Sequence, residues 1–152
     1  MPFVKLSYAW FAVVAPILFA AAPSVRTLAK GAFTPIAEAR QEVIYDQPSW
    51  EKFWQKHAVN AKGVAQPPAV DFTREMVVAV TMGKQRTGGY SIEITQAEVS
   101  GQQFLVTVKK RVPAPGAMVT QAFTSPFHFA AVPLSRLKPV FVETPEPPPK
   151  KG

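Results

Sequence analysis

Two histidines, His57 and His128, and no cysteine bound the chemistry open to this chain of 152 residues. Hydrolysis through a serine or threonine needs a hydroxyl held against an imidazole, which a carboxylate orients in turn. Neither histidine lies in a nucleophile motif. His57 closes an aromatic stretch, where an imidazole near a helix C-terminus is ordinary. His128 stands between Phe127 and Phe129, and strand alternation predicts that it faces water. No catalytic residue is expected, and a hydrolase using His57 and His128 is the remotest reading. Without thiolates or a cluster of histidines and carboxylates, no metal site and no cofactor is expected either.

The stretch Gly83-Lys84-Gln85-Arg86-Thr87-Gly88-Gly89-Tyr90 is the other place where residue types converge. Its glycine spacing resembles a phosphate loop, but Gly89 and Tyr90 stand where that loop needs a lysine and a hydroxyl residue, and no helix is expected to follow. Glycines without a Cβ penalty at φ > 0 can expose consecutive amides, and Lys84 and Arg86 place two positive charges beside them. Lys84, Arg86, Thr87, Gly88, Gly89 and Tyr90 are therefore the candidate partner-binding residues, suited to a carboxylate or an acidic loop. The competing reading is that the glycines only turn the chain between two strands.

The flanking segments decide how that loop is mounted. Met76 to Met82 is apolar on both alternating sets, so it predicts a central strand covered on both faces. Tyr90, Ile92 and Ile94 alternate with Ser91, Glu93 and Thr95, which predicts a half-exposed strand. Ser100-Gly101 marks a hairpin turn, and Phe104, Val106 and Val108 alternate on the return. Upstream, Pro48 opens a predicted helix in which Trp50, Phe53, Trp54, His57 and Ala58 share one face, a stripe expected to pack against a sheet. Pro126 to Pro133 and Pro139 to Val142 predict two more strands, the first preceded by a loop that starts at Pro113-Ala114-Pro115-Gly116. The fold class read from this pattern is α+β: a small, mainly antiparallel β-sheet domain with one N-terminal aromatic-faced helix.

A chain of this length buries roughly two thirds of its unfolded surface, enough for one core without disulfides. The formal net charge of +7 invites acidic partners. Its lysines and arginines are scattered, with Lys109-Lys110-Arg111 and Lys150-Lys151 as the runs, so nucleic acid is not an expected partner. Residues 1–24 carry Lys5, an apolar run from Tyr8 to Ala22 and small residues near its end, the pattern of a signal peptide. That run is shorter than the roughly 20 residues of a spanning helix. Export to the periplasm or beyond is expected, with membrane contact only through an uncleaved signal segment. Residues 25–40 read as a linker, 41–142 as the β-rich domain and 143–152 as a disordered, proline-rich tail.

Trp50 with Phe53-Trp54, the run Val70 to Val78, Gly83-Lys84 with Thr87-Gly88-Gly89-Tyr90-Ser91-Ile92-Glu93-Ile94, Pro113-Ala114-Pro115-Gly116 and Ser125-Pro126-Phe127 together resemble the PrcB C-terminal-like domain, a family named for a subunit of a protease complex. The resemblance runs from about Val43 to Pro133. It implies an exported, non-catalytic, protein-binding domain acting as an accessory or stabilising subunit, with a protease as the partner its name suggests. The lack of a cysteine departs from a lipidated form of such subunits. Thr87-Gly88-Gly89-Tyr90 also resembles the wedge loops of chagasin-type inhibitors, which gives a protease inhibitor as the alternative.

Overall fold

The computed structural model describes residues 25–60 and 63–147; the expected signal segment 1–24 and the end of the proline-rich tail lie outside them. In chain order the elements are β1 (Arg26–Gly31), β2 (Ala39–Ile44), α1 (Gln47–His57), β3 (Val59–Asn60), β4 (Gly63–Val64), β5 (Glu75–Met82), β6 (Ser91–Ser100), β7 (Gln103–Arg111), β8 (Phe127–Pro133) and β9 (Lys138–Pro145). β1, β8, β5 and β2 form a four-stranded antiparallel sheet in that order. β6, β7 and β9 form a three-stranded sheet, in which β6 and β7 are the expected hairpin and β9 runs parallel to β7. The α+β class, with one helix among the described residues and mainly antiparallel sheet, is what the sequence pattern predicts.

Both faces of the four-stranded sheet are covered, because β5 and β8 are apolar on both faces at every interior position except Thr81 and His128. Met76, Val78, Val80, Ala130 and Val132 face the second sheet, where they meet Ile92, Ile94, Phe104, Val106 and Val108. Val77, Ala79, Phe127 and Phe129 face the helix and meet Trp50, Phe53 and Trp54. Val77, Val78, Val80 and Phe129 are completely buried, so β5 is the doubly covered central strand that its sequence predicts.

The helix forms where local signals agree. Asp46 accepts a hydrogen bond from the Ser49 amide at 2.8 Å, Pro48 occupies the first turn, and Lys56 sits in the last, where positive charge suits the helix dipole. That capping bond holds the Asp46 carboxyl below its ordinary range. Trp50 Nε1 donates to the Pro68 carbonyl at 3.1 Å and Trp54 Nε1 to that of Ala65 at 2.8 Å. Both indoles thus bury their rings and strap the 65–68 connection over the helix.

Two expectations give way. Arg26–Gly31 is not linker but an edge strand paired with β8, its register shifting between Thr27 and Ala29. Its mixed composition suits an edge, where one ladder of hydrogen bonds and one buried neighbour suffice. The last strand also runs beyond Val142 to Pro145, and Glu146 stays docked: Arg111 grips its carboxylate through Nε at 3.0 Å and Nη2 at 2.8 Å. Prolines are tolerated here because β9 is an edge strand.

Candidate functional site

β5 delivers the chain to Gly83, which is buried with φ of 77°. A Cβ there would lie 2.9 Å from the Ala39 amide nitrogen, so only glycine passes this close to the start of β2. The Lys84 amide donates to the Ala37 carbonyl at 3.0 Å. Gln85 and Thr124 then exchange backbone hydrogen bonds of 2.7 and 3.0 Å, and the Gly88 amide donates to the Thr120 carbonyl at 2.9 Å. Thr124 Oγ1 closes the gap by donating to the Thr87 carbonyl at 2.8 Å. The 83–90 loop is thereby zipped onto the 120–124 segment.

This pairing alters the reading of the six candidate residues. Lys84 and Arg86 are exposed, as a binding role requires, whereas Thr87 and Tyr90 are half-buried and Gly88 is buried. Only Gly89 of the glycine pair takes a positive φ, 86°. A Cβ on it would meet Val119 Cγ1 at 2.8 Å and Pro113 Cβ at 3.1 Å. The expected pair of outward amides does not form, because the Gly88 amide is spent on Thr120. The glycines serve close packing of two loops, and the two cations remain on the outer surface.

The loop also borders a cleft that sequence reasoning passed over. Phe33, Pro35, Ala37 and Phe123 line a shallow space of about 190 Å³ with Lys84 at its rim. Phe33 is 66% exposed and Phe123 61%. Lys84 Nζ lies 4.2 Å from the centre of the Phe123 ring, a cation–π contact that holds the ammonium over the cleft mouth. Phe33 and Phe123 fall in stretches read as linker and loop. The available signal was a phenylalanine stranded among small and polar residues, in Gly31-Ala32-Phe33-Thr34-Pro35 and Gln121-Ala122-Phe123-Thr124.

Both histidines are held by the architecture. His57 packs its ring against Trp54, Phe127 and Phe129, with Nδ1 3.0 Å from Thr34 Oγ1, and burial lowers its pKa. His128 does not face water: it is 1% exposed, lying between the sheets because β8 has no solvent face. Its Nδ1 accepts the Ile94 amide at 2.8 Å, so Nε2 carries the proton and lies 2.9 Å from Thr27 Oγ1. Burial, reinforced by the charge of Lys30 and opposed by Glu93, lowers its pKa to about 4. Among the described residues neither imidazole is hydrogen-bonded to a carboxylate, and no cluster of three His, Asp or Glu side chains is placed to hold a metal ion.

The central strand, the zipped loops, the β6–β7 hairpin between them and β8 make one continuous run, and this is the part of the chain that carries a family likeness. Residues 76–133 match the PrcB C-terminal family model. The matched stretch runs from β5 to the end of β8 and includes Lys84, Arg86, the Gly88-Gly89 pair and Phe123. The matched span is narrower than the resemblance read from Val43 onward, so β1, β2, the helix and Phe33 lie outside it. No curated protein and no solved structure matches the chain.

Proposed function

We propose that the protein is an exported, non-catalytic binding domain that serves as an accessory or stabilising subunit of an envelope protease complex. Its docking face is the zipped loop pair with Lys84 and Arg86. The observation that carries this reading is that the family-matched stretch mounts an exposed basic loop rigidly between a buried strand and a second loop. A rigid surface gives up little conformational entropy on docking, which favours a stable partnership. Gly88 is buried and stapled to Thr120, so the loop lies flat along its neighbour; this favours a docking face over an inhibitory wedge.

The test is capture from envelope extract with the full-length chain carrying an affinity tag. A protease should co-purify, elute earlier as salt rises, and be lost with the double variant Lys84→Glu and Arg86→Glu. Absence of any protease across the salt series counts against the reading. Stoichiometric loss of the captured enzyme's activity on adding more of the chain replaces it with the inhibitor.

A further inference from the structure

The cleft beside Lys84 has a chemistry of its own. Its polar lining residues are already committed: Ser125 Oγ donates to the Ile36 carbonyl at 3.0 Å, Thr124 Oγ1 donates to Thr87, and Thr34 Oγ1 accepts the Ile36 amide at 3.2 Å. What remains open to a ligand is the carbon surface of Phe33, Pro35, Ala37 and Phe123, with one ammonium above it. A space of about 190 Å³ between two exposed rings accepts a single large side chain and is too shallow for the face of a helix.

The charges around the cleft are uncommitted as well. Lys30, Lys109, Lys110 and Arg111 each hold a carboxylate partner, whereas neither Lys84 nor Arg86 forms an ion pair among the described residues. The nearest acidic residue in sequence beyond the rim, Glu38, is engaged by Arg40 at 3.5 Å. Lys84 over the apolar slot, with Arg86 exposed two residues further along the same loop, is complementary to a segment in which one apolar residue is flanked by carboxylates.

We propose that the Phe33–Phe123 cleft receives one large apolar side chain from an extended acidic segment of a protein partner, with carboxylates on that segment pairing to Lys84 and Arg86. This rests on the docking reading above and names the recognition element within it. Phe123 supplies the anchor surface and at the same time steers Lys84, so the apolar and ionic halves of the site are coupled through one ring.

The experiment uses the full-length chain and three fluorescein-labelled peptides of equal length: one leucine between two acidic pairs, the same peptide with serine for leucine, and the same with lysines for the acids. The acidic leucine peptide should bind, and the other two at least about tenfold more weakly. Phe123→Ala and Lys84→Glu should each weaken the acidic leucine peptide by a similar factor; both positions are at the surface, and unchanged melting curves establish that the variants fold. Equal binding of the serine peptide, or binding untouched by Phe123→Ala, overturns the proposal. So does concentration-dependent self-association that Phe123→Ala abolishes, because the occupant is then a second copy of the chain. Peptide binding without protease capture removes the accessory-subunit reading alone, and protease capture that survives both Phe123→Ala and Phe33→Ala removes the cleft alone.

Discussion

On the helix side of the four-stranded sheet the contacts are between rings: Trp50 stacks on Phe53 at 6.0 Å and meets Phe129 edge-on at 6.3 Å, while Phe53 meets Phe129 edge-on at 5.0 Å. On the side facing β6 and β7 the contacts are mainly aliphatic, from Met76, Val78, Val80, Ile92, Ile94, Val106 and Val108, and they surround one polar ring, His128. The difference lies in how each layer is specified. The ring layer is assembled from an eleven-residue helix and two positions of one strand. The aliphatic layer needs strands far apart in sequence to meet in register, and His128 ties β8 to β6 by accepting the Ile94 amide beside the register shift of the β6–β7 pair.

The comparison can be broken first on the ring side. Trp50→Ala removes a fully buried indole, its ring contacts and its bond to Pro68, and should destabilise the fold by about 3–5 kcal/mol in chemical denaturation. A loss under about 1 kcal/mol would show that the helix is dispensable packing.

On the other side, the test is pH. The folded His128 titrates at about 4 and the unfolded one near 6.5, so the unfolded chain takes up the proton first as acid is added. The contribution is complete above the unfolded value, declines as pH falls between the two values and levels off below the folded one. Its full size is on the order of 3 kcal/mol. His57 is shifted in the same direction by burial, so His57→Gln is the paired control. His128→Gln should lower stability at neutral pH by about 1–3 kcal/mol and flatten the profile between pH about 6 and 4.5, while His57→Gln should leave most of the slope. Unaltered acid sensitivity in His128→Gln would remove this ring as its source. Glu93, lowered mainly by its bond to Lys30, acts in the same sense but only as pH falls through the carboxylate range.

Smaller effects sharpen the picture of the loops. Gly89→Ala combines a φ of 86° with a Cβ 2.8 Å from Val119, and should destabilise by more than Gly101→Ala, whose φ of 61° is strained but whose Cβ meets open space. The hairpin variant should lose about 1 kcal/mol in thermal melts. The smallest effect expected is that of Asp46→Ala, which removes the helix cap and should lower the melting temperature slightly, with the difference from wild type vanishing in strong acid, where the carboxylate is protonated in both states.

These layers also differ in how far they could be read from residues alone. Trp50, Phe53 and Trp54 announce their helix because i, i+3, i+4 spacing is local, and Met76 to Val80 announces a central strand because both faces are apolar. The hairpin at Gly101 is a local turn with a glycine where φ is positive. Arg26–Gly31 reads as linker because an edge strand draws its order from β8, which lies about a hundred residues away in the chain. β9 reads as shorter than it is because its prolines are tolerated only at an edge, and its parallel partner is not its sequence neighbour. His128 misleads because Phe-His-Phe looks like alternation, and the Ile94 amide that makes burial tolerable lies on another sheet. At the site, the glycines and cations identify the loop, but the hydrogen bonds to Thr120 and Thr124 and the approach of Phe33 to Phe123 arise from tertiary contacts without any periodic trace.

The direction of β1 bears on how the domain can be held. Gly31 pairs with Phe127 at the cleft end of the sheet, while Arg26 pairs with Ala131 and bonds Glu75 at 2.7 Å at the opposite end. Five extended rises separate the two by roughly 17 Å. Anything attached ahead of Val25, whether a surface coupling, a fused protein or a tether, therefore joins the domain at the pole remote from Phe33 and Phe123, and an N-terminally immobilised chain presents its cleft to the solution.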